Sequence, residues 1–379
     1  MHIAPTFPNY SVFKYSISST DTQIRDLTFP KNRHNITPMR KRIYFLDYMK
    51  AICVLMVIIT HIDWANKNRM IFLLVINMAV PIFMIISGFN FDMSYHRRIE
   101  SAEATIGRKA SFWEQLGIMY SPKNVWPRVV RFATPFIPIA LLELALKNMQ
   151  GKDVSLARLF FLGGFGPGSY YVPLMFELLL VFPIIYLLIK DYPYLGLFIT
   201  ALLQLGYECW VAFSGFEKYW YRLLIFRYLL LIAFGCFLYL HPDKRLHKRT
   251  LVSMMLIGVE YLVLYHNGVH FPIFKYWSPT VMPTDFYIIP VVVILFRLFY
   301  HSQIPGRIGQ ILETMGKASY HIFLVQMVYY HFDLGGPIFA MHWGIQIVLN
   351  VLITVSVGIA YYQLENYIRG QIKARKALA

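Results

Sequence analysis

Charge is scarce in this sequence. Asp, Glu, Lys and Arg make up 15% of its 379 residues, against about a quarter in an ordinary soluble domain. That is too little polar surface to cover a soluble globule, and a soluble enzyme is excluded. Cysteine is scarcer still: Cys53, Cys209 and Cys236 all lie in apolar stretches without metal-ligand spacing, which supports neither a disulfide framework nor a metal site. Carboxylates are few as well, 20 against 36 Lys and Arg, for a net charge of +16. The cations sit in short clusters between apolar runs, the pattern of a membrane protein's inner face, so no nucleic-acid partner is expected. There is no internal repeat, coiled-coil heptad or low-complexity tract.

What is abundant is hydrophobic sequence, 57% of the residues. Apolar runs fall at approximately 44–62, 70–90, 129–147, 171–189, 194–213, 220–240, 251–266, 282–300, 316–332 and 340–362. Each is near the ~20 residues that cross a bilayer as a helix. The expected fold is all-α: a polytopic bundle of about ten transmembrane helices, set in the plasma membrane with membrane lipid around it. Sorting the cations between the two faces of a ten-span chain puts 25 of the 36 at the ends and in alternate loops. Both termini and the 91–128 loop are therefore assigned to the cytoplasm. Residues 1–43 read as a cytoplasmic tail with no secretory signal, 44–368 as one membrane domain and 369–379 as a cytoplasmic tail.

Ionisable groups inside a span are costly and mark functional candidates. The first span carries Asp47, Lys50 and His61. The eleven residues from Lys50 to His61 turn a helix about 1100°, roughly 20° from three full turns, so the two share a face. Asp47 falls within about 60° of both, completing one polar stripe on an otherwise apolar helix. The stripe rises about 16–17 Å, which suits a long, thin ligand with an anionic head at Lys50 and a reactive end at His61. An imidazole of near-neutral pKa is equipped to take a proton there. The plainer alternative is an interfacial Asp47–Lys50 ion pair with His61 capping the outer end.

Other polar signals follow. Ser87-Gly88 near the end of the second span serves either close helix packing or a hydroxyl contact to a ligand. Arg128-Val-Val-Arg131 sets two guanidiniums on one helical turn at the cytoplasmic mouth, a pattern suited to phosphate. The segment Gly163-Gly-Phe-Gly-Pro-Gly168 lacks the Lys-Ser/Thr of a phosphate loop and suits a lid or a re-entrant turn. Tyr170 and Tyr171 behind it are placed to stack on a sugar, and Glu177 follows in the span. Arg222 and Arg227, in the sixth span without an adjacent carboxylate, imply a polar cavity or an anionic ligand. Later come Gly316-Lys-Ala-Ser319-Tyr320 at the start of the ninth span and Glu365 at the end of the tenth.

Taken in order, these motifs resemble the acyltransferase-three family of multi-pass membrane acyltransferases. Lys50 with His61 resembles its basic-residue-to-histidine motif, Ser87-Gly88-Phe89 its Ser-Gly-aromatic segment and Arg128-Val-Val-Arg131 its paired-arginine motif, over about residues 42–368. Departures are Lys50 where many members have Arg, Gln326 where a histidine often follows, and Tyr170-Tyr171-Val-Pro in place of a His-Leu-Trp-like stretch. The resemblance implies transfer of an acyl group, usually acetyl from cytoplasmic acetyl-CoA, to a carbohydrate hydroxyl on a surface polysaccharide or a lipid-linked glycan. In that reading Lys50, Arg128 and Arg131 bind acyl-CoA. His61 is the general base, with Asp47 orienting the inner stripe. Ser87, Tyr170, Tyr171, Glu177 and Tyr320 bind the acceptor, and no metal takes part. The rival reading is a transporter or flippase for glycolipid or polysaccharide, because polar stripes and broken helices also serve passage.

Overall fold

Within hydrocarbon no water can satisfy backbone N–H and C=O groups, so a chain this apolar must coil them into helices. The computed structural model describes residues 42–62, 70–244 and 246–378, and among them there is no strand. In chain order the helices are α1 (Tyr44–Thr60), α2 (Met70–Leu74), α3 (Ala79–Ile106), α4 (Phe112–Tyr120), α5 (Pro122–Met149), α6 (Leu156–Leu162) and α7 (Tyr171–Asp191). They continue with α8 (Pro193–Phe213), α9 (Lys218–Leu223), α10 (Leu229–Leu240), α11 (Lys248–His266), α12 (Met282–Phe299), α13 (Gly306–His331) and α14 (Trp343–Leu378).

All ten apolar runs of the sequence fall on these helices, making a helical membrane bundle. Among the described residues, six stretches are long and apolar enough by themselves to cross a membrane: Met70–Ile106, α5, α7, α8, α12 and Trp343–Arg375. The remaining runs lie on α1, α9 with α10, α11 and α13, which are shorter or carry more charge. The N-terminal tail up to residue 41, and the outer loop at 63–69, lie outside the described residues.

Two stretches read as extramembrane segments are ordered helix. The 91–128 loop is the continuation of α3, then α4, then the start of α5. α3 ends where Gly107 takes φ +75° and its N–H bonds to Glu103 O. α4 starts in a capping box, with Ser111 accepting from the Glu114 N–H and Glu114 accepting from the Ser111 N–H, which satisfies orphan donors of the first turn. Arg108 pairs with Glu114 at 2.6 Å. Trp113, 77% exposed, and the exposed Phe112 leave α4 an apolar outer face, as on a helix lying in a membrane interface. At the other end of the chain, α14 runs unbroken for 36 residues, so 369–378 are its last turns.

Small residues set the closest crossings. A Cβ added to Gly88 on α3 would lie 2.1 Å from Ile232 O on α10, and one added to Gly235 on α10 would lie 2.0 Å from Ile85 O on α3. The two helices therefore touch backbone to backbone, as small residues permit in membranes. α1 meets α13 in the same way, Gly316 lying against Asp47 O. Gly88 thus serves helix packing.

Two membrane helices are interrupted. Between α2 and α3 the chain passes through a short 3-10 turn, Ile76–Met78, where Leu74 O accepts from Tyr287 Oη at 3.0 Å. Between α9 and α10 it passes through another, Ile225–Tyr228. A helix start leaves N–H groups without intrahelical partners. Here neighbouring helices supply them: Glu177 on α7 accepts from Ile225 N–H at 2.7 Å and Gln204 on α8 from Leu230 N–H at 3.0 Å. Irregular backbone at membrane depth is tolerated where it is buried in protein or lines a cavity, and both breaks line one.

Candidate functional site

α1 stays helical until its apolar run ends, and His61 is its C-cap, with its N–H returned to Ile58 O. The imidazole leans on the Tyr330 ring with centroids 5.3 Å apart, and Tyr330 Oη in turn reaches Ile58 O at 3.3 Å. The ring therefore faces a cavity of about 420 Å3. The walls come from the C-terminal half of α1, the two helix breaks, the glycine loop before α7, the loop ahead of α12 and the middle of α13.

One wall is aromatic. Tyr171, Tyr320 and Phe323 pack as a box, Tyr171 to Phe323 at 5.3 Å, Tyr171 to Tyr320 at 6.3 Å and Tyr320 to Phe323 at 6.4 Å between centroids. Tyr320 Oη donates to Phe132 O at 3.2 Å, fixing its ring from α5. Ser87 hydrogen-bonds to Tyr171. Two cations line the cavity as well, Arg222 from α9 and Arg227 from the α9–α10 break, with Thr280 bonded to Arg227.

The glycine loop is clamped from beneath. Gly164, at φ +106°, lies so close to Glu143 of α5 that a Cβ would meet its Oε2 at 2.5 Å. The same Oε2 accepts from Phe165 N–H at 3.0 Å. Gln326 Nε2 reaches Pro167 O at 3.4 Å. Pro167, Gly168 and Tyr170 then reach the cavity wall. The loop is a seated turn that carries its tyrosines into the site.

Of the residues singled out in the sequence, His61, Tyr170, Tyr171 and Tyr320 share the cavity, joined by Arg222 and Arg227. Gly168 and Ser319 line it too, whereas Ser87, Glu177, Asp47, Lys50, Arg128 and Arg131 do not. Ser87 acts from behind through Tyr171, and Glu177 is spent on the Ile225 amide. Asp47 pairs with Lys50 at 2.6 Å and with Arg42, which bridges on to Glu313 at 2.6 Å. The Asp47–Lys50 pair of the plainer reading is thus present, as part of a network closed by Lys317 on Glu313. Arg128 is buried: it donates to Asn124 O at 2.7 Å and Ser94 Oγ at 2.9 Å, and its guanidinium covers the Tyr95 ring at 3.7 Å. Arg131 is exposed. The cationic groups at the N-terminal ends of α1 and α5 are therefore separate from the His61 cavity.

Residue-by-residue reading missed Arg42, Glu143 and Thr280. Arg42 looked like one more cation of a basic tail, and Glu143 had no neighbouring charge in sequence to set it apart. A carboxylate in the middle of α5 was the available signal, since such a group needs partners wherever it is buried. A further buried pair, His321 with Glu365 and on to Arg369, ties α13 to the last turns of α14.

Comparison with known sequences bears on this arrangement. A family model described as an acyltransferase domain, that of the acyltransferase-three family, matches residues 43–362. No curated protein and no solved structure matches the chain. The matched stretch runs from the start of α1 into α14 and contains every wall of the cavity.

Proposed function

We propose, from the premise that this chain belongs to the acyltransferase-three family and is a membrane acyltransferase, that it moves an acetyl group from acyl-CoA to a carbohydrate hydroxyl. The acceptor is a surface polysaccharide or a lipid-linked glycan at the plasma membrane. The supporting observation is His61 on the wall of a cavity that also holds the Tyr171–Tyr320–Phe323 box. Aromatic faces suit the apolar faces of a sugar ring, and an imidazole beside them suits deprotonation of its hydroxyl.

In this reading Lys50, Arg128 and Arg131 attract the phosphates of the CoA moiety at the basic end of the bundle. The pantetheine arm follows the face of α1 toward His61, about 16–17 Å along the axis. The acceptor hydroxyl oxygen attacks the thioester carbonyl carbon while His61 takes its proton. The carbon–sulfur bond breaks, and the proton is passed to the leaving thiolate, giving the ester and free CoA thiol. Asp47 acts at a distance by fixing Lys50 within the Arg42–Glu313 network. Ser87 orients Tyr171, and Glu177 holds the α9–α10 break in register.

The test is His61→Ala in purified protein supplied with labelled acetyl-CoA and total membrane glycan. Loss of a general base predicts a fall in transfer of about 10²–10⁴-fold with unchanged abundance and membrane insertion. Turnover retained in the variant would remove His61 from the chemistry. Glycan mass spectrometry of cells with and without the protein identifies the acceptor by the missing acyl mass.

A further inference from the structure

Arg227 is a buried cation with no ion-pair contact among the described residues, the Glu208 and Asp285 carboxylates acting on it only from farther off. Its side chain is 5% exposed on the cavity wall, and its Nε has no hydrogen-bond partner. Among the described residues its contacts are neutral: Thr280 Oγ1 at 2.9 Å and Thr280 O at 3.3 Å, with the Tyr221 and Tyr228 rings 5.0 and 5.2 Å from the guanidinium carbon.

The carboxylates nearest in the fold are already engaged elsewhere. Glu208 accepts from Tyr221 Oη and from Trp277 Nε1, Asp285 from Gln204 and Glu177 from the Ile225 amide. A buried guanidinium left this way is costly unless an anion visits it. Arg222 reaches the same cavity from the other half of the interrupted helix and is exposed. The exposed Arg222 and the buried Arg227 thus offer a negative charge two contacts in the cavity that the aromatic box and His61 also line.

We propose that Arg227 and Arg222 form an oxyanion subsite for the acceptor, so that the glycan handled here carries a carboxylate or a phosphate close to the hydroxyl that is acylated. This deepens the acyltransferase reading and rests on it. Arginine binds both groups through paired N–H donors. Holding the anion at Arg227 turns the neighbouring hydroxyl toward His61, so that selection and alignment are one contact.

Ligand protection of the purified full-length protein in detergent, read as the shift in thermal midpoint, tests the subsite with four probes: glucuronate, glucose 1-phosphate, glucose and CoA. At equal concentrations one or both anionic sugars should protect while glucose does not, and which anion protects identifies the source of the charge. Arg227→Met and Arg222→Gln should each weaken that protection about tenfold or more, the loss of one charge-assisted contact. Arg227→Lys, which keeps the charge, should retain most of it and serves if the Met variant fails to fold. CoA protection should be unaffected.

Glucose protecting as well as the anions, or neither anion protecting, overturns the proposal. So does loss of CoA protection in the Arg227 and Arg222 variants, which would place donor phosphates at these arginines. His61→Gln separates the two readings: full turnover in that variant defeats the catalytic assignment, while anion protection reports on the subsite alone.

Discussion

Replacing Glu177 by Ala removes one acceptor from the centre of the site's architecture. Its Oε2 takes the Ile225 N–H at 2.7 Å, at the first residue of the 3-10 turn that carries Arg227. Leaving a buried amide without a partner costs about 1–3 kcal/mol, equivalent to roughly 5- to 150-fold in the population of the ordered break. If the break positions Arg227, that factor appears in kcat/KM for acyl transfer, mostly through KM for the acceptor, with CoA affinity unchanged. Glu177→Gln keeps a carbonyl oxygen in the same place and should remain close to wild type. Steady-state transfer in vesicles, run with both variants, decides. A Gln variant as damaged as the Ala variant would show that the negative charge itself matters, as for direct contact with substrate. A harmless Ala variant would show that the amide finds another partner.

Three further outcomes follow from local geometry. Gly88→Val must push α3 off α10, because even a Cβ would sit 2.1 Å from Ile232 O; overpacking of this kind costs about 1–3 kcal/mol or more and should lower the thermal midpoint. Gly206→Ala, with nothing within 4 Å of the added carbon, should leave the midpoint equal or higher. In the capping box of α4, the Arg108 guanidinium and the Ser111 groups hold Glu114 down at about 2, from an ordinary 4.5. A lowered carboxylate stabilises above its unfolded value and loses that contribution as pH falls toward the folded one. Amide exchange in the first turn of α4 should therefore stay slow from neutral pH to about 4 and quicken, beyond the intrinsic pH effect, as the pH approaches about 2.

The helices were readable because they follow from periodicity, and of the candidate cavity His61, Tyr170, Tyr171 and Tyr320 had been singled out. Apolar runs near bilayer length located the helices, and 3.6-residue geometry put Lys50 and His61 on one face. The glycine-rich segment announced a turn, and Arg222 and Arg227 announced a cavity by lacking acidic neighbours. What sequence did not disclose is which polar groups are consumed by their own scaffold. Glu177 and Tyr171 both stand at the start of α7, yet one caps a broken helix and the other faces the cavity. Likewise Arg128 and Arg131 form one motif, but Arg128 is packed over Tyr95 and Arg131 is open. These outcomes depend on partners tens of residues away, which local spacing does not encode. The 91–128 segment read as a loop because its charge masks continuation of α3, and the Ser111–Glu114 cap was overlooked inside it.

The length of α14 has its own consequence. Thirty-six residues make a rod of about 54 Å, while the hydrocarbon slab is only about 30 Å deep. A straight rod therefore overshoots by about 20 Å. Glu365, about 33 Å along it from Trp343, then lies at the polar boundary and bolts the rod to His321. The last turns carry Arg369, Lys373 and Arg375 among exposed Leu364, Ile368 and Ile372, a pairing of basic and apolar side chains that suits a headgroup layer. Lipids of longer acyl chain would draw that bolt into oil, making bilayer thickness a variable to which the α13–α14 seam responds.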